Sequence, residues 1–237
     1  MSNRTLFAPT TPPSPDHSSG HSADRGTDQA ADAADRGPGQ PARPRRTRVT
    51  RELLIEGERA ESLWEMYREA FEPLELVAIQ QHLWSRKEIL EELANEEIVK
   101  FIGWDDDIPV GMAMLTNNLE VVPMISPLFL RTRFPEHAER NAIFYGIMIF
   151  VRHGHRGKTL FARLGSHVAQ ETALSSGVVL FDICSYNLEH GSLDKNLGRL
   201  ARPFPNSSMS MVDQQSWFAV ELPAPLDDFA DTAKRSR

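Results

Sequence analysis

A single cysteine, Cys184, serves the whole 237-residue chain. It excludes an intramolecular disulfide and a paired-thiol metal or redox site, and it fits a reducing cytoplasm. Long apolar runs are also missing. The longest, AIFYGIMIFV from Ala142 to Val151, is about half what a bilayer-spanning helix needs, so it reads as a buried strand. The opening residues, MSNRTLFAPTTPPSPD, lack a basic region followed by an apolar stretch, and no secretory leader is expected. Positive charge is in deficit: a net charge of −7 argues against a general nucleic-acid binder and favours cationic substrates or partners.

Between Phe7 and Val49 no large apolar residue occurs. Residues 1–46, rich in Pro, Ser, Gly and Asp, cannot bury enough surface to offset their ordering entropy and are expected to form a disordered tail. The basic stretch RPRRTRVTR, Arg43 to Arg51, reads as a weak contact to nucleic acid or anionic lipid or, more plainly, as a solvated linker beside an acidic domain. The folded domain is expected over 47–223, with a loose tail over 224–237. A composition of 41% hydrophobic and 25% charged residues is that of a globular protein able to bury a sizeable core.

Within that domain, Leu63, Met66, Tyr67 and Phe71 recur at helical spacing, and SRKEILEELANE predicts a second helix capped by Ser85. Ile98–Trp104 and Pro109–Leu115 read as a hairpin closed by a run of aspartates. Residues 119–140, with three prolines among apolar residues, read as an irregular insertion or lid. Met112, Met114, Met124, Phe129 and Phe134 serve equally as pocket lining or as core. A helix is expected over KTLFARLGSHVAQETALSSG, a strand over VVLFDICS and a short helix over NLEHGSLDKNLGRL. The segments SMSMV and WFAVELP read as a closing hairpin. Strand, helix and strand around residues 142–184 form a crossover that makes the two strands parallel. The fold class is therefore α/β (α+β), a mixed, twisted central sheet flanked by helices.

The turn RHGHRGKT, Arg152 to Thr159, ends like an ATP-binding phosphate loop but lacks its spacing: the position five before Gly157 is Arg152, not glycine. A tight turn running into a helix can still hold a phosphate. His153 and His155 alone do not complete a zinc site, so no metal is expected. Cys184 reads as a buried strand thiol rather than a nucleophile.

The pattern FVRHGHRGKTLFARL resembles the acyl-CoA-binding segment of the GCN5-related N-acetyltransferases (GNATs): an apolar strand and a basic, Gly-containing turn that opens a helix. Val151, His155, Arg156, Gly157 and Lys158 stand in the matching places; His153 and Thr159 replace a usual proline and glycine. Downstream, NLEHGSLDKNLGR is similar to a second family segment through Asn187, Leu193, Leu197 and Gly198. The resemblance implies direct transfer from an acyl-CoA, acetyl-CoA being the expected donor, to an amine on a small molecule or a protein. It implies donor-binding roles for Ile149, Val151, His155, Arg156, Gly157, Lys158, Thr159, Leu160 and Asn187. The CoA pyrophosphate would meet a helix N-terminus reinforced by Arg156 and Lys158.

Asp194 stands where many members of the family carry the tyrosine that protonates the departing thiolate. Either its pKa is raised by burial, or Tyr186 supplies the proton, or no acid is needed, or the domain binds without catalysing. Glu120, Asp182, Tyr145 and His153 are candidate bases or substrate contacts, Tyr145 also reading as a core residue. A non-catalytic CoA-binding or protein-interaction module and a longer-chain N-acyl amino acid synthase remain open alternatives, as does a homodimer.

Overall fold

The computed structural model describes residues 6–7, 47–78, 83–123, 125–152, 158–191 and 193–221. The chain divides into two units, Met1–Ser207 and Ser208–Arg237. In the second, the described residues 208–221 hold no helix or strand.

The first unit contains β1 (Leu6–Phe7), β2 (Thr47–Glu52), α1 (Gly57–Phe71), α2 (Arg86–Ala94), β3 (Val99–Asp105), β4 (Ile108–Thr116), α3 (Pro127–Arg133), α4 (Pro135–Glu139), β5 (Ile143–Val151), α5 (Lys158–Leu174), β6 (Val178–Leu180), α6 (Ser185–Gly191) and α7 (Leu193–Ala201). The helix spacing read from the sequence has a direct cause: Leu63, Met66, Tyr67 and Phe71 of α1 are all buried on one side. A capping box starts α2: the Ser85 hydroxyl accepts from the Glu88 amide, while the Ser85 amide donates to the Glu88 carboxylate at 2.7 Å. Between β3 and β4 the chain turns on Asp106 and Asp107, with Asp106 at φ 53°, a left-handed conformation that aspartate tolerates.

The sheet runs β1-β5-β4-β3-β2, with β6 also on β5. β2, β3, β4 and β5 are antiparallel neighbours; β6 and β1 both lie parallel to β5 on the edge that β4 leaves. One face packs on α1 and α2 through residues such as Tyr67, Phe71, Ile89 and Leu93. The other packs on α5 through Leu160 and Leu164. With both faces covered, β5 is apolar throughout. Two glycines permit close approach on the α5 side. A Cβ on Gly103 would meet Leu160 at 3.0 Å, and one on Gly165 would overlap Leu200 of α7.

Three expectations change. Leu6 and Phe7, assigned to an unstructured tail, pair with Met148 and Ile149, because an apolar pair and an open strand edge suffice for a short ladder. The insertion at 119–140 includes the short helices α3 and α4, each opened by a proline at the start, where no N–H is needed. The expected closing hairpin is absent from the described residues 208–221, where Met211, Trp217, Phe218 and Val220 are largely exposed; alternation alone does not supply a partner strand.

Lys100, on β3, is fully buried, and its ammonium donates to the carbonyls of Leu53, at 2.8 Å, and Asn95, at 2.5 Å. Burial lowers its pKa from 10.5 to about 8, against the opposing pull of Glu92 and Glu96. Above pH 8 the folded chain releases this proton before the unfolded chain does, so the group adds stability as pH rises toward 10.5. Urea unfolding at pH 7.5 and 9.5 should show a gain of about 2 kcal/mol from this group that Lys100→Met lacks. Equal pH slopes in the two proteins would exclude it.

Candidate functional site

β5 is the axis of the site. Its pairing with β4 runs Gly111 to Val151, Met112 to Phe150, Ala113 to Ile149 and Met114 to Met148, then shifts to Leu115 opposite Gly146. Ile147 is the extra residue of a bulge. The side chains record the shift. Ile143, Tyr145 and Ile147 face the α1 side, and beyond the bulge the even-numbered Met148 and Phe150 take over that face. Ile149 and Val151 then face α5, as Phe144 does before the bulge. Such a bulge bends and twists its strand.

On the other edge, β6 pairs with β5 only through Ile143, Phe144 and Tyr145. Its ladder ends where the bulge begins, and the chain passes through Phe181–Cys184 into α6. The two parallel strands therefore part beyond Gly146, which still lies against Leu180 and Phe181, β5 running on toward the start of α5 and the β6 chain turning into α6. At Met148 and Ile149 the place beside β5 is taken by β1.

The parting strands bring two residues singled out in the sequence together. The Tyr145 hydroxyl donates to an Asp182 carboxylate oxygen at 2.5 Å. Tyr145 itself is buried and Asp182 exposed, so the strand placement of Asp182 resolves toward solvent rather than core. Tyr186, in the first turn of α6, is half-buried and stacks on His190 with ring centres 4.5 Å apart. Asn187 beside it is buried, at 2% exposure. Burial raises the pKa of the Cys184 thiol, overriding hydrogen bonds from nearby backbone, and a thiol kept protonated is a poor nucleophile.

Other candidates lie elsewhere or offer something different. Glu120 sits in a short 3-10 turn after β4 and pairs with Arg131 of α3 at 2.9 Å. The side chains of Ile149, Val151 and Leu160 are core, so what they can present to a ligand is backbone. Thr159 is exposed in the first turn of α5. Met112 and Met114 are fully buried core residues, which removes them from any pocket, whereas Phe129 is half-exposed on α3. His153, His155, Arg156, Gly157 and Met124 lie outside the described residues, as do the side chains of Lys158 and Asp194. Arg152, which closes β5, is held by Glu69 of α1 in a two-pronged pair, both contacts at 2.8 Å. Among the described residues no three His, Cys, Asp or Glu side chains group as metal ligands, and no helix is long and apolar enough to cross a membrane.

The bulge and the β1 pairing were not anticipated from the sequence. Gly146 inside the apolar run is the signal that points to the former, since glycine within a strand often marks a bulge.

No family model matches the chain, and no curated protein does. Solved structures do. An aminoglycoside acetyltransferase from an uncultured soil metagenomic sample, in complex with sisomicin, is 8% identical over 74% of this chain and 97% of its own, with a TM-score of 0.44. Aminoglycoside N-acetyltransferase AAC(6')-Iy, in complex with CoA, is 14% identical over 74% of this chain and 99% of its own, at 0.43. An acetyltransferase of Trypanosoma brucei is 15% identical over 74% of this chain and 100% of its own, at 0.43. These structure neighbours are acetyltransferases. At such identities and TM-scores the likeness carries no conclusion about this chain, and its chemistry has to come from its own residues.

Proposed function

We propose that the chain is an acyl-CoA-dependent N-acyltransferase, with acetyl-CoA as donor, passing the acyl group directly to an amine of its acceptor. The observation that carries this reading is the parting of β6 from β5 at the Ile147 bulge. It lies directly ahead of the sequence that runs through Arg156 and Lys158 into α5. An amide-bearing chain can pair along a strand edge as a peptide does. A dianionic pyrophosphate suits a helix N-terminus flanked by two cations.

In the transfer, the amine nitrogen attacks the thioester carbonyl; a C–N bond forms, the C–S bond breaks and CoA leaves as thiolate. A cationic amine must lose one proton to become the nucleophile and a second once it has attacked, while the thiolate gains one, so one proton is released to solvent. Asp182, exposed and oriented by the Tyr145 hydroxyl, is the residue assigned to the cationic acceptor amine. Tyr186, in the first turn of α6, is assigned to the thiolate, with Asp194 of α7 as the other candidate. Glu120, already paired with Arg131, ranks below Asp182 as base.

Calorimetric titration of the full chain with acetyl-CoA and with a long-chain acyl-CoA tests the reading. Micromolar binding of acetyl-CoA is the expected result, and tighter binding of the long chain would shift the donor assignment. A folded protein that binds neither would end it. Binding without turnover on any amine would favour the non-catalytic module, for which Asp194 in place of tyrosine is the sequence argument.

A further inference from the structure

β5 has two edges, and β4 fills one along the strand from Tyr145 to Val151. On the other, β6 leaves at Tyr145, and the next pairing is with β1: Leu6 opposite Met148 and Phe7 opposite Ile149, parallel. Position matters here. The pairing falls just past the Ile147 bulge, on the backbone that the donor reading assigns to acyl-CoA, Ile149 among it. Leu6 and Phe7 are also the only adjacent large apolar residues of the first 46, so the contact is made by the one dyad of that segment suited to a strand.

We infer that β1 is an internal competitor of the donor: Leu6–Phe7 pairs with the stretch of β5 that acyl-CoA must use, and donor binding requires its displacement. The inference rests on the acyl-CoA reading of the site. Two residues of ladder make a weak strand, but the segment is tethered in the same chain, so it competes at a fixed effective concentration rather than at a cellular one. The apparent affinity for donor is then the intrinsic affinity reduced by the fraction of molecules in which the edge is free. A modification or partner that captured the N-terminal residues would raise donor affinity without touching the site.

The test compares the full chain with a Leu6→Pro/Phe7→Pro variant. Proline removes the backbone donors that a ladder uses and leaves β5 unaltered. Each protein is titrated with acetyl-CoA, and amide hydrogen exchange at Ile149 is followed without ligand: the Arg152 amide donates to Val110 of β4, so in the same register Met148 also faces β4 and Ile149 faces β1. The variant is expected to bind roughly tenfold more tightly, an occupied-edge population of about 90%, and to exchange faster at the Ile149 amide but not at Met148. Binding by the variant but not by the unaltered chain would be the stronger form of the same result. Equal affinity in the two proteins overturns the competition and leaves the acyl-CoA reading standing. Absence of binding in both, with both folded, overturns that reading and the competition with it.

Discussion

Phe150→Ala is expected to lower the unfolding free energy by about 4 kcal/mol, the middle of the range for removing a fully buried aromatic ring. Phe150 is 1% exposed at the centre of the α1-side core. Its ring meets Phe71 edge-on at 5.3 Å and Tyr67 at 6.3 Å, contacts that add to the burial itself. The loss should not be relieved by collapse. β5 is hydrogen-bonded to β4 at this position, Phe150 opposite Met112, and α1 is tied to the strand exit by Glu69 and Arg152. A cavity between two restrained elements stays open, and its cost is correspondingly high. Phe150→Leu, which keeps most of the volume, should cost about 1 kcal/mol. Urea unfolding of the two variants measures both. A loss below about 1.5 kcal/mol for the alanine variant would mean that α1 closes onto the sheet, and that the core beneath the site is less rigid than its packing implies.

The same strand shows what sequence can and cannot say. AIFYGIMIFV was readable as a buried strand because it is short, apolar and β-branched, and β5 covers nine of its ten residues. The crossover through α5 to β6 followed from handedness and length, and it gives the parallel pair. The bulge was hidden for the same reason that the strand was easy to find. A strand apolar on both faces has no alternation to break, so the change of parity between Ile147 and Met148 leaves no trace in the pattern. Asp182 could be marked as unusual from its neighbours, but its choice between core and solvent depends on where β6 leaves β5, a tertiary fact. Glu120 shows the reverse case. Its position after β4 was predictable, while its pairing with Arg131 depends on α3, which prolines had disguised as irregular chain. In the tail, composition gives an average tendency, and within it Leu6 and Phe7 pair with β5.

Reversing both cations of the turn, Arg156→Glu with Lys158→Glu, is expected to weaken acetyl-CoA binding at least a hundredfold, about 3 kcal/mol, since each charge-assisted phosphate contact contributes about 1.5–3 kcal/mol and each reversal adds repulsion. The effect should be specific to the anionic end of the ligand. Salt should narrow the gap between variant and unaltered chain, because screening acts on repulsion as well as attraction. The fold should survive. Leu160, Leu164 and Val168, which seat α5 on the sheet, are untouched, although two acidic residues at the helix start also favour its dipole. That last point sharpens the test, since the variant helix is, if anything, better stabilised at its N-terminus. Loss of affinity then has to come from the lost cations rather than from unfolding. Thermal melts run beside the titrations establish that directly. A folded double variant with unchanged affinity would remove the pyrophosphate from this turn, and the parted strands of β5 and β6 would need a ligand of different charge.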